Sequence, residues 1–507
     1  MTASALGMLV DRGLMDWTTP VHDILPEMSK STWHYASKLT VVEILSHRTG
    51  VSWADALYLQ SNNNILLPKD ESIRTFDYLP VVASPRSTFM YNNHAYNIAG
   101  LVIEKVSGQN WGDFVKKNLF APLGMLQSFT RQPHDPNVAL PYNILSDGTP
   151  YRIPFCNASD STNMFAGQSV WTSLGDLLRY STAYLQAMSA LPDCANINHN
   201  SDRKEQNNFF SPGFLDFFQK CAGSRKQTSA EVTEKDPETN PLKQMSTVLR
   251  PHVSRPVDGI SEQTYALGWN RTQLPGSLDF GWNKKMIEPF PLLGERYPGR
   301  LVIWHGGNMP GTTVALCLLP RSGTAVVVLQ NSLGLCDVAD WTCQAILDTI
   351  FAGNPMQDYK DLVARCVEKG KMRMKEVEVQ LEKGRVQGTR PRPLRCYTDR
   401  YYNKIRNWVI EIDLADAGLI LKFQGREDEK YELRHYHHDT SVWNLSYDET
   451  VKRAQYCRQY QYYMMVFEAS NGPDEKAPRG SIDHLRWHHD VAVPEGECFY
   501  KSDSDSL

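Results

Sequence analysis

Apolar residues recur at helical spacing early in the chain. Leu6, Leu9, Val10 and Leu14 fall on one face and Gly13 helps to end the turn, so residues 2 to 14 read as a helix body with no start signal. Thr40 followed by Glu43 is a capping box before Ile44 and Leu45. Ala95, Ala99, Val102 and Val106 share one face of a helix from about Asn93 to Val106, with Gly108 as its stop. Ser173 and Asp176 open a further helix whose apolar positions are Leu174, Leu177, Leu178 and Leu185.

The period then shortens. Leu301 to Trp304, Val314 to Leu319 and Thr324 to Leu329 are short, apolar and β-branched, and Arg321-Ser322-Gly323 makes a hairpin turn between the last two. A helix from Asp337 to Phe351 would cover that sheet through Val338, Trp341, Ile346 and Ile350. Helices early and an antiparallel sheet late predict an α+β domain. The polar stretch at about 194–240 reads as a mobile insertion interrupted by the apolar piece Phe209 to Phe218. Residues 354–393 are highly charged, a helical linker ending in Thr389-Arg390-Pro391-Arg392-Pro393. Beyond it the pattern is that of strands: Trp408 to Leu414 and Leu419 to Phe423 around the hairpin Ala415-Asp416-Ala417-Gly418, then Tyr431 to Trp443, Tyr462 to Phe467 and Ile482 to His488. The expected organisation is one domain over 1–353, a linker over 354–393 and a small all-β barrel or sandwich over 394–507.

A length of 507 residues calls for more than one core, and 41% hydrophobic with 22% charged residues is the composition of an ordinary globular chain. The net charge of −4 gives no reason to expect nucleic acid or an anionic membrane surface as a partner, and no apolar run is long enough to span a bilayer. The ten cysteines are scattered without a CxxC pair, which points away from a zinc ribbon or a dithiol redox site. Sequons at Asn157, Asn270 and Asn444 are about what chance supplies.

Three segments carry the chemistry. The first is Leu45-Ser46-His47-Arg48-Thr49-Gly50-Val51. The second is Phe89-Met90-Tyr91-Asn92-Asn93-His94-Ala95-Tyr96, followed by Gly100 to Gly108 and Pro122-Leu123-Gly124-Met125. The third is Trp304-His305-Gly306-Gly307-Asn308-Met309-Pro310-Gly311, followed by Pro320-Arg321-Ser322-Gly323 and Asn331. Each alone is a weak signal. In this order and with these flanks they resemble the class C β-lactamase and D-alanyl-D-alanine carboxypeptidase family, the peptidase S12 type, over roughly residues 1 to 350. The resemblance implies a β-lactamase/transpeptidase-like domain, an antiparallel sheet flanked by helices with a helical subdomain. It also implies a Ser-x-x-Lys, Tyr-x-Asn and Lys/His-x-Gly site that works through an acyl-enzyme without cofactor or metal. Carried over by position, Tyr91 and His305 are the catalytic candidates. Asn93, Gly306, Gly307 and Asn308 are the substrate-binding ones, with the Asn308 N–H as an oxyanion donor and the glycines leaving room for a substrate backbone. The implied partner is a small acyl, peptide or ester substrate.

The chain departs from that pattern at its start. Thr2-Ala3 through Gly13 match the continuation of the nucleophile's helix, while the Lys and Ser that should precede it are not in the chain, so a serine hydrolase or acyltransferase inactive as written is expected. The absent first helix and strands would leave sheet edges unpaired and apolar faces bare, and poor folding is expected. The one Ser-x-x-Lys, Ser201 to Lys204, lies in a polar loop and is not expected to be catalytic. Arg86 stands where the family often has glycine, and His47 reads as a structural residue bonding backbone. The alternatives are a non-catalytic relative that binds a ligand in the same cleft, or a metal-dependent activity of the C-terminal domain. For the latter, strand alternation would put His435 and His437 on one face, and a neighbouring strand with His484, His488 and His489 would bring imidazoles together. The simpler expectation is a solvated sheet face. Lys369 to Lys375 likewise reads as a solvated helix face.

Overall fold

The computed structural model describes residues 1–30, 38–191, 240–256, 262–352, 356–469 and 481–502. Phe209 to Phe218, Ser201 to Lys204 and all but Asn240 at the end of the expected insertion lie outside the described residues.

Helix α1 (Thr2–Asp11) buries Leu6 and Leu9 completely. It packs against α3 (Asn93–Ser107), which in turn packs against α2 (Val41–Leu45), whose capping box between Thr40 and Glu43 is formed. Asn92 caps α3 by accepting from Ala95 N, and Gly108 ends it in the left-handed region at φ 67°. Helix α4 (Leu174–Ser189) starts from the Ser173 cap. These helices enclose one core in which Ile44, Leu45, Phe76, Ile98, Val102, Phe114 and Phe165 are sealed from solvent.

The sheet runs in chain order: β1 (Val253–Ser254), β2 (Gln263–Tyr265), β3 (Asn270–Gln273), β4 (Leu301–Met309), β5 (Thr312–Leu319) and β6 (Thr324–Gln330), all antiparallel. β6 is an edge strand with Leu329 36% exposed. Helix α5 (Val338–Ala352) covers β5 and β6. A second, small sheet of 150–152, 142–144 and 332–333 belongs to the same domain.

Helix α6 (Tyr359–Gly384) is not a free spacer. Leu362, Cys366, Gly370, Met374, Val377 and Leu381 form its buried stripe, and its lysines pair outward with Glu368 and Glu376. Gly370 rests against the Leu335 carbonyl, where a Cβ would lie 2.2 Å from the oxygen. Further along, the Arg373 guanidinium donates to Cys457 O and the Tyr436 hydroxyl to Leu381 O, so one helix is bonded to the chain beyond it.

That chain is a closed eight-stranded antiparallel barrel: β7 (Asp399–Tyr402), β8 (Val409–Ala415), β9 (Gly418–Phe423), β10 (Lys430–His437), β11 (Thr440–Val442), β12 (Met464–Glu468), β13 (His484–Trp487) and β14 (Glu497–Lys501), with β14 returning to β7. Eight strands leave an interior that side chains just fill. Phe423 stacks on Trp487 at 4.9 Å and Tyr431 meets Trp443 at 4.7 Å, all four buried.

The metal alternative for the histidines needs correction. β10 and β13 are separated by β11 and β12, so His435 and His437 do not neighbour His484. A bulge between His435 and His437 turns Tyr436 inward, His435 bonds His438 O, and the His437 ring lies tilted 4.5 Å from that of Tyr436. His484 and His489 are engaged by carboxylates, Asp483 and Glu468 for the first and Glu497 for the second. Among the described residues the side chains grouped like metal ligands are Glu468, His484 and Cys498, where the Arg486 guanidinium already sits 2.9 Å from the Glu468 carboxylate.

Gly370→Ala should lower stability by about 1–3 kcal/mol, because backbone rather than a pliable side chain blocks the new methyl group. Chemical denaturation measures this; an unchanged midpoint would mean that α6 does not press on Leu335.

Candidate active site

The second motif is placed by the first. Glu43, with a side chain only 4% exposed, accepts from Thr40 N (2.8 Å) and the Thr40 hydroxyl and pairs with Arg48 (2.8 Å) and Arg86 (3.2 Å). Burial alone would raise its carboxyl; the Thr40 bonds with the Arg86 and Arg48 guanidiniums overcome this and hold it below its usual value. Arg86 adopts φ 69°, a conformation natural to glycine, and its side chain compensates by bonding Glu43 and Lys38 O. The 46–51 turn thus fixed carries the next loop. Met90 N donates to His47 O (2.7 Å), Asn92 N to His47 Nδ1 (3.0 Å), and the Asn92 amide to Val51 O and Ser52 O. At Gly50, φ 77°, a Cβ would lie 2.1 Å from Ala83 O, which is why this turn ends in glycine.

His47 is the backbone-bonding residue expected of it. Because Nδ1 accepts, its proton is on Nε2. Its ring also lies 4.2 Å from Tyr91, 5.1 Å from Tyr96 and 5.0 Å from Tyr265. Burial, with His305 and Arg255 nearby, keeps it uncharged well below the usual histidine range.

The third motif lies on β4, which outruns β3. The ladder with β3 ends at Trp304, whereas pairing with β5 continues through Met309, so residues 305–309 pair with β5 and leave their other edge open. Alternation puts His305 and Gly307 on one face and Gly306 and Asn308 on the other. The structure brings Tyr91 and His305 together, their ring centroids 6.4 Å apart, with Tyr91 40% exposed at the groove they form. Nδ1 of His305 is 2.6 Å from Gly306 O, which only accepts, so Nδ1 carries the proton and Nε2 accepts from the Tyr265 hydroxyl at 3.1 Å. Burial lowers His305 to about 4. Burial and the Asp55 carboxylate both push the Tyr91 phenol up, away from phenolate.

Asn93 joins the same groove: its amide donates to Asp55 (3.0 Å) and to the Tyr58 hydroxyl (3.2 Å). Gly307 has only the Val314 Cβ, at 3.9 Å, near the space of a Cβ, and its face is open. Gly306 has another reason to be glycine than substrate approach. A Cβ there would lie 1.6 Å from Phe280 O, so close packing of backbone on backbone dictates it. The Asn308 side-chain amide turns to Asp337 (2.7 Å), and the Asn308 backbone carbonyl accepts from the Tyr456 hydroxyl (2.7 Å).

Sequence reasoning missed Tyr265, Asp55, Arg255, Tyr456 and Arg458. Arg255 lies over Phe89 and Trp304 at 5.3 and 5.5 Å and adds positive potential to both histidines. None of the five belongs to a short motif, and each reaches the groove only through tertiary packing. The hydroxyls on the first turn of α1 face elsewhere. Thr2 donates to Ala166 O and accepts from Trp111, and Ser4 bonds the hydroxyls of Tyr180 and Tyr184.

The Beta-lactamase family profile matches residues 1–346. The chain belongs to the β-lactamase family. Among curated relatives, Unguisins hydrolase ungD' of Aspergillus campestris is 24% identical over 342 residues, 65% of this chain and 50% of that protein. Penicillin-binding protein 4 of Amycolatopsis lactamdurans is 30% identical over 132 residues, 25% of this chain and 33% of that protein. The chain therefore spans half or less of the length of these relatives. Among solved structures, the octameric penicillin-binding protein homologue from Pyrococcus abyssi aligns with 87% of this chain and 79% of its own at TM-score 0.47 and 17% identity. Within the β-lactamase family's serine hydrolase fold, the groove at Tyr91 and His305 is where this chain's second and third motifs meet.

Two outcomes follow from the charges. In Glu43→Gln the Arg48 and Arg86 charges lose their partner, costing roughly 3 kcal/mol at neutral pH. The wild-type Glu43 contribution is complete above the ordinary value of 4.5 and fades as pH falls through the lowered folded value, so the variant should lack that part of the acid limb in denaturation curves. The His305 imidazole should titrate near pH 4 by NMR, neutral across the physiological range; a midpoint near 6.5 would contradict the half-buried, Tyr265-bonded geometry.

Proposed function

We propose that the groove between Tyr91 and His305 is the acyl-transfer site of a serine hydrolase or acyltransferase acting on an amide, lactam or ester bond in a small acyl or peptide substrate. In such a reaction a serine oxygen adds to the carbonyl and an oxyanion forms. The C–N or C–O bond then breaks as the leaving group takes up a proton, and water or a second acceptor releases the acyl group. Tyr91 and His305 flank the reacting carbonyl. Asn93 and Gly307 line the acyl side, with the Asn308 N–H as an oxyanion donor, while Gly306 lets the strand pack on Phe280 O. The observation that carries this reading is the 6.4 Å approach of the two rings, from motifs far apart in the chain, beside an unpaired strand edge. The Aspergillus relative is named a hydrolase, and hydrolysis of an acyl bond is what we carry over.

On our reading Thr2, Ser4, Tyr91 and His305 do not themselves supply the attacking group. Thr2 and Ser4 have their hydroxyls tied to the helical subdomain, Tyr91 is held protonated, and the His305 lone pair is taken by Tyr265. The same facts favour ligand binding without turnover as the second reading.

The test supplies the nucleophile. A helical turn carrying Ser-Xaa-Xaa-Lys, with its lysine one turn ahead of Thr2, is joined to the chain, and both proteins meet a fluorophosphonate probe. The extended protein should be labelled at the new serine, and Tyr91→Phe should slow labelling about 10²-fold. The 507-residue chain should stay unlabelled. Labelling of that chain at one of its own serines, or indifference of the extended protein to Tyr91→Phe, would refute the proposal.

A further inference from the structure

The open edge of β4 presents particular backbone groups. The turn Pro310-Gly311 closes the hairpin on Met309 and Thr312, so Met309 bonds β5 and Asn308 points its N–H and C=O the other way. The far end of the strand agrees: Leu274 N donates to Arg300 O at 2.8 Å, so even-numbered residues of β4 turn toward β3. Trp304 is the last of these that faces a partner strand. Gly306 and Asn308 lie beyond the end of β3 and direct their N–H and C=O at the groove.

Both acceptors on that edge are taken by side chains of this chain. His305 Nδ1 donates to Gly306 O at 2.6 Å, and the Tyr456 hydroxyl donates to Asn308 O at 2.7 Å. Tyr456 arrives on the segment between β11 and β12, which leaves the barrel at this point. It packs with Met309 against the buried cluster of Tyr58, Leu59, Ile65 and Met164. The segment is pinned on both sides of it: Gln455 donates to the Tyr431 hydroxyl at 2.8 Å and Arg458 N to the Tyr463 hydroxyl at 3.0 Å. The Arg458 guanidinium backs the Tyr456 ring at 5.4 Å and Trp53 at 4.9 Å. Asp337 holds the Asn308 side chain at 2.7 Å, so the capped carbonyl belongs to a residue fixed from two directions.

Resting on the reading of the groove as an acyl-binding site, we infer that Tyr456 sets its specificity: by capping Asn308 O it leaves an edge that only donates, which takes acyl groups without an N–H on the carbon next to the reacting carbonyl. In an antiparallel pair two facing residues exchange both of their bonds. A peptide residue whose carbonyl accepts from Asn308 N would therefore donate its own N–H to Asn308 O, and a peptide added along the edge repeats that exchange at every second residue. Here the carbonyl finds its donor and the N–H meets an acceptor already engaged. An N–H that leaves water without a new partner weakens binding about tenfold or more. An ester oxygen or a methylene at the same position loses nothing. The favoured substrate is thus an acyl or α-oxyacyl chain and not an extended peptide laid on β4, and the selecting group comes from the barrel.

The experiment is calorimetric titration of the 507-residue protein with benzoylglycine anilide and with benzoyloxyacetic anilide, which carries oxygen in place of the glycine N–H. The oxygen analogue should bind tenfold or more tightly than the glycine compound. Tyr456→Phe keeps the ring and its packing, so its thermal melt should match the parent. It frees Asn308 O, and the glycine compound alone can use that acceptor, so the preference should shrink at least fivefold through tighter binding of the glycine compound. Equal affinity of the two ligands for the parent, or a preference unchanged in Tyr456→Phe, overturns the Tyr456 inference and leaves the groove reading intact. Failure of both ligands to bind overturns the groove reading and the inference with it.

Discussion

The site depends on one buried carboxylate. The loop that carries Tyr91 has neither helix nor strand until α3 begins, so nothing local fixes it. Its place is set by Glu43, which gathers Thr40, Arg48 and Arg86 and thereby holds the 46–51 turn that carries His47. A buried charge is tolerated where its oxygens are satisfied, and it then resists displacement, since moving any partner strands the others. His47 extends that rigidity by accepting from Asn92 N through one ring nitrogen and pressing its face on Tyr91. The exposed phenol is a late consequence of an ion cluster at the end of α2.

The other half of the groove is fixed by a mismatch in length. β4 is nine residues long and β3 four, so the far end of β4 has no neighbour on one side. An unpaired backbone edge invites a partner. Here part of it is met by Tyr456, and Gly307 leaves the rest open. The imidazole of His305 stays neutral because burial and the nearby Arg255 disfavour a second positive charge, while Tyr265 fixes which nitrogen bears the proton. These effects make a polar pocket with no net charge of its own on the two central rings.

Helices were legible wherever one face is apolar. α1, α3, α4 and α5 fall close to where the spacing places them, with the caps at Thr40, Ser173 and Gly108. The three motifs were legible through their family resemblance, which pairs Tyr91 with His305 before any coordinate is known. Short elements were not: β7 and β14 have no sustained alternation, and closure of the barrel joins the first strand to the last, a contact without local signal. The metal alternative for the histidines misled because a bulge and two intervening strands separate residues that look adjacent in a list of strands. Gly306 misled in a subtler way. Its lack of a side chain suits a substrate, yet the nearest atom is the Phe280 carbonyl.

The sequence by itself determined the periodic elements, the family and the identities of the two facing rings, because apolar spacing, caps and motif residues act over a few neighbouring positions. Only the tertiary structure decided what surrounds those rings: the Tyr265 bond to His305, the buried carboxyl of Asp55, and the arrival of Tyr456 and Arg458 from a barrel more than 100 residues beyond the third motif in the chain. Hydrogen bonds and charges of that kind join residues whose separation along the chain carries no information. They exist only where cores of Leu, Ile and aromatic side chains hold the backbone segments within a few ångströms.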